Sequence, residues 1–327
     1  MVTMDINRLL DGRLKVRHLV LVVTVAEQGS IVGAAERLRV TQPVVTRGLR
    51  ELEQILGVEL FDRGPRGVTA NAYGRAFVDD ARAIIAQIRQ AGRHVAELST
   101  GMVGTVVVGN HLSGANVLLP TAIARLKRQF PHVTVIVREA TPDRLTEDLL
   151  TGDLDLVVGR LTPSTEDGRT RRIRLYHEPI RVVVRAGHPA LELVNPELAE
   201  LIDYPWVLPV PQTSLRSEVE QVFFRQGLGI PTNRVECTSL PTLRTLLLDA
   251  DMIATLPALL ARDDPSLAIL PVELPNVHRL VGLTLAADRG QSPSLQAFVR
   301  HLEAVGKEIR GYVQTDMALA DSSIGQA

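Results

Sequence analysis

The chain has 327 residues, enough for two or three domains, and its 45% hydrophobic content with few aromatics calls for aliphatic cores. A single cysteine, Cys237, excludes a disulfide within the chain and a cysteine-built zinc cluster. The net charge is only -1, yet residues 1–98 carry 14 Lys and Arg against 11 Asp and Glu, a basic bias that suits a polyanion partner.

The opening residues hold Asp5 and Asp11 among polar neighbours, which is not the pattern of a signal peptide. Leu19, Val22, Val23 and Ala26 recur at helical spacing and predict a helix over 16–27. Gly29 ends it, and Ser30 caps a second helix with Ala34, Ala35 and Leu38 inward. Arg39 and Val40 form a short turn. Thr41 is placed to cap a third helix, with Pro43 in the first turn, where a backbone N–H has no helical partner to lose. Val45, Leu49, Leu52 and Leu56 define its buried face, and Gly57 stops it. The outward residues are Gln42, Val44, Thr46, Arg47 and Arg50. An amide, a methyl surface, a hydroxyl and two guanidinium groups suit the edges and phosphates of a DNA major groove. The competing reading is a solvated face on a small helical domain.

The next stretch, GVELFDRGPRGVTANAYG, alternates apolar residues and then turns at Gly-Pro-Arg-Gly, which predicts a hairpin wing. Arg63 and Arg66 fall near its tip, and Leu60 and Phe61 should seal it against the helices. With these motifs in place, AAERLRVTQPVVTRGLRELEQILGVELFDRGPRG resembles the amino-terminal domain of LysR-type transcriptional regulators. The resemblance covers residues 16–98. It implies DNA contacts from Gln42, Pro43, Thr46, Arg47 and Arg50, with wing support from Arg63 and Arg66. The wing and Tyr73 are also similar to the subgroup that regulates aromatic-acid or sugar uptake and catabolism genes. Ala70, Asn71, Ala72, Tyr73 and Gly74 depart from the family's usual Leu-Thr-x-Ala-Gly, though Asn71 keeps the ability to cap a helix.

Tyr73, Phe77, Ala81, Ile84, Ile88, Ala91, Val95 and Leu98 continue at intervals of three and four, a heptad seam from Phe77 onward. Arg82, Arg89, Gln90 and Arg93 lie between them and are expected in solvent. A second copy would cover the seam; packing on the chain's own carboxy-terminal domain is the alternative. The resemblance implies an antiparallel dimer through this linker helix, and tetramers through the effector domains. Ser99, Thr100, Gly101 and Gly104 read as a hinge.

From Thr105 the pattern is strand, helix, strand, helix, strand, the logic of a doubly wound α/β lobe. A second run begins with IRVVVRAGHP, and the chain returns through HRLVGLTLAA to a final helix. The expected whole is an α/β protein: winged helix-turn-helix over 1–74, linker and hinge over 75–100, a two-lobed periplasmic-binding-protein-like effector domain over 101–310, and a flexible tail over 311–327. Ligands in such folds sit at strand ends between lobes. The polar loops there hold Asn110, His111 and Ser113, then Thr141 and Arg160, and, from the other lobe, Thr213, Ser214 and Thr238. His111 serves equally well as a surface-loop histidine. By resemblance these loops contact an inducer. Helix-start N–H groups and Arg160 favour a small carboxylate or phosphate, such as an aromatic or sugar acid. A repressor answering to a neutral sugar is the alternative. The Asp249-Ala250-Asp251 turn lacks the family's usual glycine.

An enzyme is not expected: HExxH, GxSxG and GxGxxG are absent, and the eight histidines fall singly. No metal or cofactor is expected. A stand-alone solute-binding protein would need export. The expected partners are double-stranded promoter DNA, a small-molecule inducer, further copies of the chain and RNA polymerase, in the cytoplasm and without a membrane. Whether regulation is activating or repressing stays open.

Overall fold

The computed structural model describes residues 9–64, 67–100, 103–110, 117–161, 168–262, 264–275 and 277–324, with backbone alone at 63, 98–100, 278–279 and 315–324. Helices α1 (Val16–Gln28), α2 (Ile31–Leu38) and α3 (Gln42–Leu56) come first. Gly29 and Gly57 end α1 and α3 in the left-handed region, where a missing Cβ removes the strain. Ser30 caps α2 by accepting from the Gly33 N–H. Thr41 stands at the amino-terminal cap of α3, but its hydroxyl makes no cap bond, contrary to expectation.

Val45, Leu49 and Leu52 are fully buried on α3 and meet Leu19, Val22 and Val25 of α1 with Ala34 of α2. Each such valine or leucine side chain contributes roughly 1.5–3 kcal/mol relative to exposure. The wing follows as β1 (Phe61–Gly64) and β2 (Gly67–Ala70), an antiparallel pair. The Val68 N–H donates to the Gly29 carbonyl at 2.9 Å, which docks the wing on the α1–α2 turn. Leu60 and Phe61 are buried beneath it, as expected.

Helix α4 (Ala72–Thr100) is about 43 Å long at 1.5 Å per residue. Asn71 caps it: its Oδ1 accepts from the Gly74 N–H at 2.9 Å, and its Nδ2 donates to the Glu59 carbonyl. Position 74 must be glycine here, since a Cβ would lie 2.0 Å from the Leu60 carbonyl oxygen.

One nine-stranded mixed sheet carries the rest. The first lobe holds β3 (Thr105–Asn110), α5 (Leu118–Gln129), β4 (Thr134–Glu139), α6 (Pro142–Thr151) and β5 (Leu156–Arg160). The 16-residue β6 (Thr170–Arg185) then crosses between lobes. Its first part pairs with β11 (His278–Ala286), which also pairs with β5. Its last part pairs with β9 (Ile253–Pro257) and β10 (Leu267–Ile269) of the second lobe. That lobe adds α7 (Leu198–Leu201), β7 (Trp206–Leu208), α8 (Ser214–Arg225), β8 (Arg234–Glu236), α9 (Leu240–Asp249) and α10 (Ala258–Arg262). The chain returns to the first lobe through the stretch from β10 into β11, and with β6 this gives the expected two-lobed α/β form.

Each lobe has its own core. Val106, Val108, Leu156 and Val158 pack beneath α5 and α11 (Pro293–Ile324), while Leu145, Leu149 and Leu154 fill the opposite face. Trp206, Phe223 and Ile253 anchor the second lobe. Helix α11 does not stop at residue 310. It runs to Ile324, and Val313 is buried in the first lobe's core, so the expected flexible tail begins too early.

Candidate nucleic-acid interface and effector cleft

Three fixed points aim α3. Its apolar face is buried, Arg39 closes the α2–α3 turn in the left-handed region (φ 56°), and a Cβ at Gly48 would approach Leu21 Cδ1 to 2.7 Å. The last distance measures how closely α1 and α3 pack. The opposite face presents Gln42, Pro43, Val44, Arg47 and Arg50 exposed, with Thr46 half-buried at its margin. Glu51 is drawn to the other side, 3.5 Å from Arg17 and 3.4 Å from the buried His18. Among the described residues no carboxylate pairs with Arg47 or Arg50. The first-turn amides of α3 are also free of a side-chain cap, which leaves a positive helix end beside two unpaired guanidinium groups. In the wing, residue 63 pairs with Val68. The Arg63 side chain and all of Arg66 lie outside the described residues.

The linker seam divides into two parts. Ala81 is buried and Phe77 half-buried against the winged domain of the same chain. Tyr73, Ile84, Ile88, Ala91 and Val95 are exposed, with 40% of Ile84, 45% of Ile88 and 69% of Val95 open to solvent. Leu98 is beyond the described side chains. Of the flank expected in solvent, Arg89 is exposed, but the rest is covered wholly or in part, because α4 lies along α6 and the first lobe. Gln90 is buried, and Arg93 is half-buried 3.2 Å from Asp155. Arg82 reaches Glu27 and Asp79, and Arg89 reaches Asp153. Gly104, expected in the hinge, packs against the Glu97 side chain.

A concavity of about 520 Å³ lies between α1, α4 and α6. Most of its charges pair with one another: Arg82 with Glu27, Arg89 with Asp153, and Arg144 with Asp148 at 2.8 Å. It is a polar seam between domains, away from the strand ends where the lobes meet.

At those strand ends the side chains are specific. Asn110 sits opposite Val158 across the parallel β3–β5 ladder, and Arg160 is two residues further along β5. Both side chains therefore leave the same face of the first lobe. The Asn110 Oδ1 is buried with no partner among the described residues. Arg160 reaches across to α8, where its Nη1 donates to Ser214 Oγ at 2.7 Å and its Nη2 is bound to the Glu218 carboxylate. Of the expected cleft residues, Arg160 and Ser214 are thus joined directly. Thr213 spends its hydroxyl as the cap of α8, donating to the Val210 carbonyl and accepting from the Arg216 N–H. Thr141 heads α6 and is exposed, with no cap bond. Thr238 is exposed beyond β8. His111 and Ser113 lie outside the described residues. Where the usual glycine is missing, Asp251 binds Arg185 at the end of β6.

Glu218 was not foreseen. It is four residues from Ser214, hence on the same face of α8, but nothing in the sequence pairs it with Arg160. His188 stabilises the turn before Pro189: its Nδ1 accepts from the Ala190 N–H at 3.0 Å. Burial holds its pKa below the usual histidine value.

Residues 16–75 match the family model described as bacterial regulatory helix-turn-helix protein, lysR family, and residues 99–307 match LysR substrate binding domain. The chain is 36% identical over 307 residues to the HTH-type transcriptional regulator PcaQ of Agrobacterium fabrum, covering 93% of this chain and 99% of that protein. It is 31% identical over 302 residues to the HTH-type transcriptional regulator GbpR of Azospirillum brasilense, covering 91% and 88%. Among solved structures, full-length CbnR complexed with its target DNA is 26% identical with a TM-score of 0.58, covering 89% of this chain and 99% of that one. A full-length OxyR variant from Pseudomonas aeruginosa is similar in fold, 24% identical with a TM-score of 0.62, covering 88% and 94%.

Proposed function

The chain belongs to the LysR family of bacterial DNA-binding transcriptional regulators, and from that premise we propose how its surfaces divide the work. Residues 1–74 read promoter DNA through Gln42, Pro43, Val44, Thr46, Arg47 and Arg50, with Arg63 and Arg66 of the wing on the backbone. Residues 75–100 join two copies. The lobes after residue 101 take a small organic anion, with Arg160 as its charge partner and Asn110, Ser214 and Thr238 around it.

One observation carries this reading: the solvent face of α3 joins a base-reading amide to two guanidinium groups that no described carboxylate neutralises. Gln suits adenine and Arg suits guanine or phosphate. The exposed Ile84, Ile88 and Val95 stripe supports a dimer, whose two heads would meet a two-fold related operator. The anion is favoured by Arg160, set at a strand end between lobes, and the Asn110 oxygen, without a partner among the described residues, suits a donor such as a hydroxyl on the same ligand. An anion that binds two arrangements of the assembly differently shifts the balance between them.

Footprinting of the full-length protein upstream of its own gene and its neighbours tests the DNA reading. A protected, roughly two-fold symmetric site is expected. Uniform protection independent of sequence would contradict it. Repeating the footprint with aromatic acids, sugar acids and neutral sugars tests the ligand class; a change with neutral sugars alone would replace the anion by a hydroxyl-rich ligand.

A further inference from the structure

We propose that Glu218 is an internal competitor of the inducer: its carboxylate holds Arg160 in the ligand-free protein, and an incoming carboxylate must displace it. This rests on the reading of Arg160 as the anion's partner.

The pair spans the two lobes. Arg160 ends β5 of the first lobe, whereas Glu218 lies on α8, whose neighbours Val219, Val222 and Phe223 fill the core of the second. Among the described residues, the Glu218 carboxylate makes one hydrogen bond, to Arg160, and its second oxygen, Oε2, is buried without a partner. Glu220, two residues on, behaves differently. It binds the buried Arg216 within the same lobe, and Arg216 is shared with Glu236. A half-buried guanidinium with no carboxylate would be costly, so an empty cleft needs an anion of its own to settle Arg160.

The substitute is an imperfect one. Guanidinium and carboxylate prefer two parallel hydrogen bonds, but here one amino group of Arg160 goes to Ser214 and the other to a single oxygen of Glu218. A small free carboxylate can turn to take both. The Glu218 side chain is about as exposed as that of Arg160, at 22% and 20%, so its path to water is short once released. Binding would therefore exchange an interlobe contact for a ligand contact, and affinity would be set by the difference between the two. A ligand lacking an acidic group would leave the pair intact.

The test uses the full-length chain and 4-fluorobenzoate, followed by its fluorine resonance, with acetate and gluconate as competitors. The Glu218→Gln variant should bind the probe roughly fivefold tighter than wild type, the scale of one half-buried charged hydrogen bond. Glu220→Gln removes the same charge from the same helix and should leave affinity within twofold, which separates displacement from a general loss of repulsion. Arg160→Ala should abolish binding in both backgrounds. If wild type binds and Arg160→Ala does not, but Glu218→Gln matches wild type, the competitor role is wrong and the anion site stands. If Arg160→Ala keeps its affinity, the anion reading fails and the competitor with it. No binding to wild type or to Glu218→Gln would overturn both, because a released Arg160 should hold a carboxylate. Equal gains from Glu218→Gln and Glu220→Gln would reduce the effect to bulk charge and overturn the inference.

Discussion

Glu97 of the linker helix accepts two hydrogen bonds from Ser294, one from the backbone N–H at 3.1 Å and one from the hydroxyl at 2.9 Å. Ser294 is in the first turn of α11, so a buried carboxylate from one domain caps a helix of the next. The linker is thereby fixed to the first lobe by a contact that a rearrangement of the lobes would feel.

Two substitutions at this joint should act alike. Glu97→Ala leaves the Ser294 N–H buried without its acceptor and the hydroxyl with Ser292 alone, at a cost of about 1–3 kcal/mol. Gly104→Ala places a Cβ 2.3 Å from Glu97 Oε1 and 2.4 Å from its Cδ, which expels the carboxylate from the same place. Both variants should melt several degrees below wild type, and their combination should add little. Fully additive losses in thermal denaturation would mean that Gly104 is constrained by something other than Glu97.

The recognition face makes a quantitative prediction. Arg47→Ala and Gln42→Ala should each weaken operator binding by about 1–3 kcal/mol if each makes a base contact. Neither residue supports the core, so melting temperature should hold. Gel-shift titration against operator and scrambled DNA separates two roles. A base contact narrows the gap between the two DNAs, whereas a phosphate contact weakens both equally. Unchanged affinity in both variants would remove α3 as the reading element.

What the sequence made legible was local. The buried stripe Val45, Leu49, Leu52 and Leu56 follows from helical periodicity, and the glycine stops at Gly29 and Gly57 follow from backbone freedom. The two-lobed sheet was legible as an order of strands and helices. What escaped depends on residues far apart in sequence. Arg160 and Glu218 are separated by 58 positions, and Glu97 and Ser294 by 197, so no periodicity could pair them. The same limit explains Gln90 and Arg93. As residues on an isolated helix they belong in water, and they are covered by the packing of α4 on the first lobe, where Arg93 meets Asp155. Thr41 shows a smaller gap: the sequence places it at the helix start, but its hydroxyl makes no cap bond.

The exposed part of the linker seam should hold the dimer. Ile84 and Ile88 are one turn apart and face solvent in the single chain. Ile88→Glu would bury an unpaired carboxylate in a paired seam, a penalty large enough to split a dimer of ordinary strength. Sedimentation at micromolar concentration should then report monomer, or aggregate, where wild type reports dimer. A wild-type assembly from the variant would mean that copies meet elsewhere.

Asp155 supplies a pH dependence with a definite sign. Burial raises its pKa above the usual aspartate value; the Val107 N–H, at 2.8 Å, and the nearby Arg93 and Arg289 oppose that rise without cancelling it, and Glu97 adds to it. At pH between the unfolded and folded values, the folded state therefore holds a proton that the unfolded chain has lost. Stability from this group is fully present below the ordinary carboxylate pKa and is lost as pH rises through the elevated one. Asp155→Asn carries no such proton. The melting temperature of wild type minus that of Asp155→Asn should be flat in acid, then fall across the interval between the two values and level off above it. A difference that rises with pH would mean that Arg93 and the Val107 N–H outweigh burial. Arg93→Gln removes the paired cation and should widen the interval, since it leaves the desolvated carboxylate with less to offset its charge.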